Sequence, residues 1–158
     1  MTENTILLAE DSEDDEILLK LVLRKAGLVN PVHVVRDGEE VIAHLKNAGS
    51  ASDGEFRNLP KILFLDLRMP KIGGLDVLRW MKSQPHLKGL LVVVLSHYGE
   101  VGHVQKAYDL GAHSFLSKPF LLQDLNNLMK HFKGYWICEG PVLHDMPKYQ
   151  IVSAAISN

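Results

Sequence analysis

The chain has 158 residues, 46% of them hydrophobic and 23% charged, with a formal net charge of −2. That is the balance of a single globular domain with a real core, and it lacks the basic face that a nucleic-acid partner requires. The single cysteine excludes an internal disulfide, the N-terminus has no basic signal-peptide region, and no apolar run approaches a membrane span. The expectation is therefore a cytoplasmic protein that engages neither nucleic acid nor membrane.

In chain order, residues 5–9 read as a short strand and 14–26 as a helix. That helix carries Ile17, Leu18, Leu21, Val22 and Lys25 at helical spacing and stops before Gly27. Residues 32–35 form a second strand and 39–47 a second helix with Val41, Ile42 and Leu45 facing inward. Residues 48–59, rich in Gly, Ser, Ala, Asp and Asn, read as a loop. A third strand (62–66), third helix (75–83), fourth strand (91–96) and fourth helix (101–110, closed by Gly111) follow. The series ends with a fifth strand at 114–117 and a fifth helix at 121–132. Five strand–helix pairs in this order predict a doubly wound parallel sheet with right-handed crossovers.

Polar residues stand where the apolar runs stop. Glu10 and Asp11 follow the first run, Asp66 the third, Ser96 the fourth, and Lys118-Pro119 the fifth. In an open α/β sheet the carboxyl ends of the strands share one edge, and ligands bind there. Acids, a hydroxyl and a lysine gathered at that edge form a device for holding a divalent cation and a phosphoryl group. The acids at 13–16 have a simpler explanation in a helix start, with Ser12 as N-cap, Asp15 completing a capping box and the helix dipole favouring negative charge. Glu10 and Asp11 precede the cap, and Mg²⁺ is the natural counter-charge for such a pair. Asp66 reads either as a turn-former before Met69-Pro70 or as a nucleophile toward phosphorus. Lys118 reads as a surface lysine or as an ammonium poised to pair with a phosphoryl group or with Asp66, set in a corner where X–Pro bonds can be cis. Ser96 reads as a strand-end hydroxyl or a donor to a phosphoryl oxygen, and Phe115 by default as core.

The stretches Ile6-Leu7-Leu8-Ala9-Glu10-Asp11, Leu65-Asp66-Leu67-Arg68-Met69-Pro70 with Gly74, Val94-Leu95-Ser96, and Phe115-Leu116-Ser117-Lys118-Pro119-Phe120 together resemble the CheY-like receiver domain of two-component response regulators. The resemblance spans roughly residues 5 to 132. It implies a flavodoxin-like (βα)5 sheet ordered 2-1-3-4-5 and a phosphorylated switch rather than a turnover enzyme. By the same resemblance Asp66 is the phosphoacceptor, and Mg²⁺ is held by Glu10, Asp11, Asp66 and the backbone carbonyl of Arg68. Lys118 is then the phosphoryl-binding lysine, Ser96 the switch hydroxyl and Phe115 the switch aromatic. A sensor histidine kinase is the implied phosphodonor, and a downstream protein or phosphotransfer partner would read the face made by helix 4, strand 5 and helix 5.

Departures from the family pattern are His97, where a small residue is usual, Gly73, where an aspartate is frequent, and Arg68 with Tyr98, at positions that tune phosphoryl lifetime. His97 reads as a narrowing of access or as an exposed loop histidine. His33, His86, His103 and His113 lack metal-ligand spacing and read as surface. Residues 1–132 are thus expected to form the receiver and 133–158 an extension. Tyr135, Trp136 and Ile137 are too apolar for a solvated tail, so the extension packs on the receiver or caps a homodimer surface. A Tyr-Trp directly after helix 5 resembles single-domain regulators that partner phytochrome-type kinases. The competing reading is a non-phosphorylated receiver-fold scaffold locked by His97 or by its tail.

Overall fold

In the computed structural model, which describes residues 4–48, 59–97 and 100–139 and the backbone of 149–151, strands and helices alternate along the chain. They are β1 (Ile6–Ala9), α1 (Glu13–Lys25), β2 (Val32–Val35), α2 (Gly38–Ala48), β3 (Ile62–Asp66), α3 (Gly74–Lys82), β4 (Leu91–His97), α4 (Val101–Asp109), β5 (Ser114–Lys118) and α5 (Leu122–His131). A 3₁₀ turn, Pro85–Leu87, leads into β4. The five strands form one parallel sheet ordered β2-β1-β3-β4-β5, as the sequence predicts.

Successive residues of a strand point to opposite faces, and here each face has its own core. Leu7, Ala9, Leu63, Leu65, Val92 and Val94 pack with α2 and α3 through Val41, Leu45, Val77 and Leu78. Ile6, Leu8, Ile62, Phe64, Leu91 and Val93 pack on the other side with Leu19 and Leu23 of α1 and Leu125 and Leu128 of α5. Strands covered on both faces must be continuously apolar, which is why β1, β3 and β4 read as unbroken runs.

The buried stripe of α1 differs from the spacing expected. Leu19 and Leu23 are buried, while Ile17, Leu18 and Leu21 are exposed. Residues 17–23 are apolar apart from Lys20, so two overlapping stripes of helical period are present. The set Leu19, Val22, Leu23 and Ala26 is the one that meets the sheet.

Beyond α5 the chain turns back onto the receiver. Trp136 is fully buried between the α1/α5 core and Phe64, and its indole N–H donates to the Phe132 carbonyl at 2.7 Å. Asn30, also buried, donates from Nδ2 to the carbonyls of Asn4 and Tyr135 and accepts the Ile137 amide at 2.7 Å. Val29 N–H to the Ile137 carbonyl and Glu139 N–H to the Gly27 carbonyl complete the seam. Two short antiparallel strands, β6 (Ile137–Glu139) and β7 (Tyr149–Ile151), follow. The stretches 140–148 and 152–158 of the extension lie outside the described residues, as does Tyr98.

Candidate functional site

The register fixes which strand ends are level. Ala9 sits opposite Leu65, so Glu10 emerges beside Asp66; Asp66 pairs with Leu95, and His97 with Lys118. Glu10, Asp66, Ser96 and Lys118 are all buried at this edge, whereas Asp11 is exposed. The β3–α3 corner is tight enough to specify its residue: a Cβ on Gly74 would lie 2.6 Å from the Asp66 carbonyl oxygen. The Lys118–Pro119 peptide is cis.

Lys118 is the hub. Its ammonium donates to both oxygens of Glu10 at 3.0 and 3.1 Å, to Asp66 Oδ2 at 3.1 Å and to Asp15 Oδ2 at 2.8 Å. Burial alone would favour the neutral amine. The hydrogen bonds it donates to Asp15 and Glu10, with the charges of Asp66 and Glu10, overcome it and push the lysine well above its ordinary range. One ammonium does not compensate so many carboxylates. Burial, and then the Asp66 carboxylate beside it, push Glu10 up to about 8 against the opposing pull of Lys118. Asp15 goes the other way: burial would raise it, but the lysine holds it below the usual carboxylate range. Glu10, Asp11 and Asp66 each present an oxygen within 4.8 Å of one another. A cluster of hard oxygen donors with negative charge to spare fits Mg²⁺ or a similar divalent cation.

The other predicted positions surround this pocket. The Arg68 amide donates to Asp66 Oδ1 at 2.9 Å, holding the carboxylate in place at the start of the β3–α3 loop. Ser96 is buried at the border of a groove of ≈ 460 Å³ that is also lined by Glu100, Val101, Tyr108 and Phe115. Phe115 is not core: it is 41% exposed and lies edge-on to Tyr108 with centroids 6.4 Å apart. Phe115 stands on the edge strand β5 and borders the groove beside α4 instead of filling it, so apolar character alone did not fix its burial. His97 is exposed at the end of β4. His113 is exposed overall yet tied in, since its Nδ1 accepts the Val92 amide at 3.0 Å.

Three residues were not foreseen. Asp15 serves only half of a capping box: its amide donates to the Ser12 hydroxyl oxygen at 3.2 Å, but its carboxylate accepts from Lys118. Arg36 donates from Nη1 to the Glu10 carbonyl at 3.2 Å and pairs with Glu16, bracing the end of β1. Glu100, at the start of α4, pairs with Arg68 at 2.6 Å.

Sheet order, acidic edge and lysine hub together define a receiver. The chain matches the family model of the response regulator receiver domain over residues 6–130, and it belongs to that family. It is similar to the response regulator Rcp1 of Synechocystis sp. (strain ATCC 27184 / PCC 6803 / Kazusa), at 33% identity, covering 84% of this chain and 88% of that protein. The Mn²⁺-bound form of Rcp1 superposes with a TM-score of 0.64 at 32% identity, over 81% of this chain and 92% of that one. The bacteriophytochrome response regulator RtBRR gives a TM-score of 0.71 at 31% identity, covering 99% of this chain and 89% of its own. The phosphorylated cyanobacterial phytochrome response regulator RcpA gives 0.63 at 33% identity, over 83% and 91%. Among the described residues no helix is long and apolar enough to cross a membrane.

Proposed function

We propose that the chain is a stand-alone response regulator that takes a phosphoryl group from a sensor histidine kinase onto Asp66. The observation that carries this reading is the Lys118 ammonium held between Glu10 and Asp66, beside three convergent carboxylates. In the transfer, a bond forms between an Asp66 oxygen and phosphorus while the bond from phosphorus to the donor's histidine nitrogen breaks. Lys118 meets the arriving negative charge, and Ser96 offers a hydroxyl to a phosphoryl oxygen. Mg²⁺ at Glu10, Asp11, Asp66 and the Arg68 carbonyl would neutralise charge on the nucleophile and on the incoming oxygens. The phosphoryl group brings about −1.5 to −2 charges to Asp66. Drawing Ser96 toward it leaves room for Phe115 to turn into the adjoining groove, which reshapes the face of α4, β5 and α5 for a downstream or phosphotransfer partner.

A phosphorylated and a metal-bound structure among the relatives support this chemistry, and the phytochrome regulators among them support a phytochrome-type kinase as donor. The protein acts in the cytoplasm as a switch rather than a turnover enzyme. Residues 1–132 form the receiver, and 133–158 form an extension available to a homodimer.

The test is intact mass after incubation with acetyl phosphate and Mg²⁺. The expected result is a gain of one phosphoryl unit that requires Mg²⁺ and is absent from Asp66→Asn. No gain together with no Mg²⁺ binding would replace the switch with a scaffold.

A further inference from the structure

Arg68 and Glu100 belong to two different loops, and their contact joins the phosphoacceptor corner to the start of α4. The Arg68 side chain is 65% exposed and the Glu100 side chain 8% exposed, with Nε and Oε1 separated by 2.6 Å. Glu100 Oε1 nevertheless has no aligned hydrogen-bond donor, so charge alone holds this buried oxygen to its partner. Among the described residues, its other oxygen accepts the long His97 amide contact, at 3.3 Å. The Glu100 carbonyl accepts the amides of His103 and Val104, so the residue that carries this carboxylate is part of the first turn of α4. The same residue borders the groove shared by Ser96 and Phe115.

We propose that Arg68 is a partner-exchanging latch: paired with Glu100 in the resting protein, it moves to the phosphoryl group when Asp66 is phosphorylated and releases Glu100 and α4. Arg68 is well placed for this, since its amide already holds the Asp66 carboxylate. A guanidinium also grips phosphoryl oxygens through paired donors, which makes the phosphoryl group a stronger partner than one misaligned carboxylate oxygen. The inference rests on the reading of Asp66 as phosphoacceptor. It makes Arg68 and Glu100 positioning residues that act on the lifetime of the phosphoaspartate and on the state of α4. No bond to Arg68 is made or broken; hydrolysis itself returns Asp66 and inorganic phosphate as water adds to phosphorus.

The experiment loads Asp66 with acetyl phosphate and Mg²⁺, removes the donor and follows decay by intact mass. It compares the wild type, Glu100→Gln, Arg68→Gln, Arg68→Lys and the double variant Arg68→Gln/Glu100→Gln. Glu100→Gln is expected to lengthen the phosphorylated lifetime about two- to fivefold, the range set by one partly exposed ion pair. Arg68→Gln is expected to shorten it, and Arg68→Lys to recover part of the loss. The double variant should match Arg68→Gln alone, because Glu100 acts only through Arg68. A merely structural role would give effects that add. An unchanged or shorter lifetime in Glu100→Gln, or a Glu100 effect that survives without Arg68, would overturn the latch. A wild type that accepts no phosphoryl unit would instead overturn the phosphoacceptor reading, and the latch with it.

Discussion

Glu10 faces two demands that differ in sign. Buried beside Asp66, its carboxyl keeps its proton up to about 8, yet a cation held by Glu10, Asp11 and Asp66 needs the carboxylate. Because the folded value lies above the ordinary one, this group contributes stability below about pH 4.5, and the contribution is lost as pH rises through about 8. Mg²⁺ binding should run the other way. Apparent Mg²⁺ affinity, measured by calorimetry, is expected to rise between about pH 6 and pH 8 and level off above, with a proton released per ion at the lower end. Glu10→Gln should weaken binding and flatten the profile; a wild-type profile that is already flat would sink the argument. The residues at strand ends were legible because β-structure fixes where an apolar run stops. Asp15, Arg36 and Glu100 were not, because their roles depend on contacts 103, 26 and 32 residues away in sequence that no local pattern encodes.

At the scale of elements, the C-terminal seam shows what a short polar side chain can hold. Asn30 uses both ends of its amide, donating to Asn4 and Tyr135 and accepting from Ile137, so it ties the α1–β2 loop to the chain after α5. Trp136 adds the apolar anchor. Trp136→Ala is expected to cost ~3–5 kcal/mol, the range for truncating a buried aromatic. Asn30→Ala is expected to cost ~1–3 kcal/mol by orphaning buried backbone groups. Urea unfolding measures both, and a Trp136→Ala cost under ~1 kcal/mol would mean that the extension does not belong to the receiver's core. Here the sequence was informative in part: an exposed Tyr-Trp-Ile run is costly, so burial was foreseeable, but its site against the α1–β2 loop was not. In α1 the reverse held, since residues 17–23 offered more apolar positions than one stripe needs, and only the packed sheet selects Leu19 and Leu23.

Across the whole molecule the edge that carries the site has a rigid side and a yielding side. On the rigid side the β3–α3 loop is wedged in place. A Cβ on Gly38 would lie 2.1 Å from the Ile72 carbonyl oxygen, and Lys71, at φ 65°, pairs with Asp37, which also caps α2. On the yielding side, Ala107 is the one buried residue of α4, Val101 is 77% exposed, and the ≈ 460 Å³ groove lies between Ser96 and the outward Phe115. Segments with few buried apolar contacts open first, so a charge placed at Asp66 should be felt through α4 and β5 while β1 and β3 stay fixed. A Phe115→Trp reporter tests this. Its emission is expected to move to the blue on phosphorylation as the ring leaves solvent for the groove. Adding Ser96→Ala should leave phosphoryl uptake measurable by mass but abolish most of the emission change, because the hydroxyl is the link between the two. An unaltered emission change in Ser96→Ala would place that link elsewhere, with the Arg68–Glu100 pair the next contact to break.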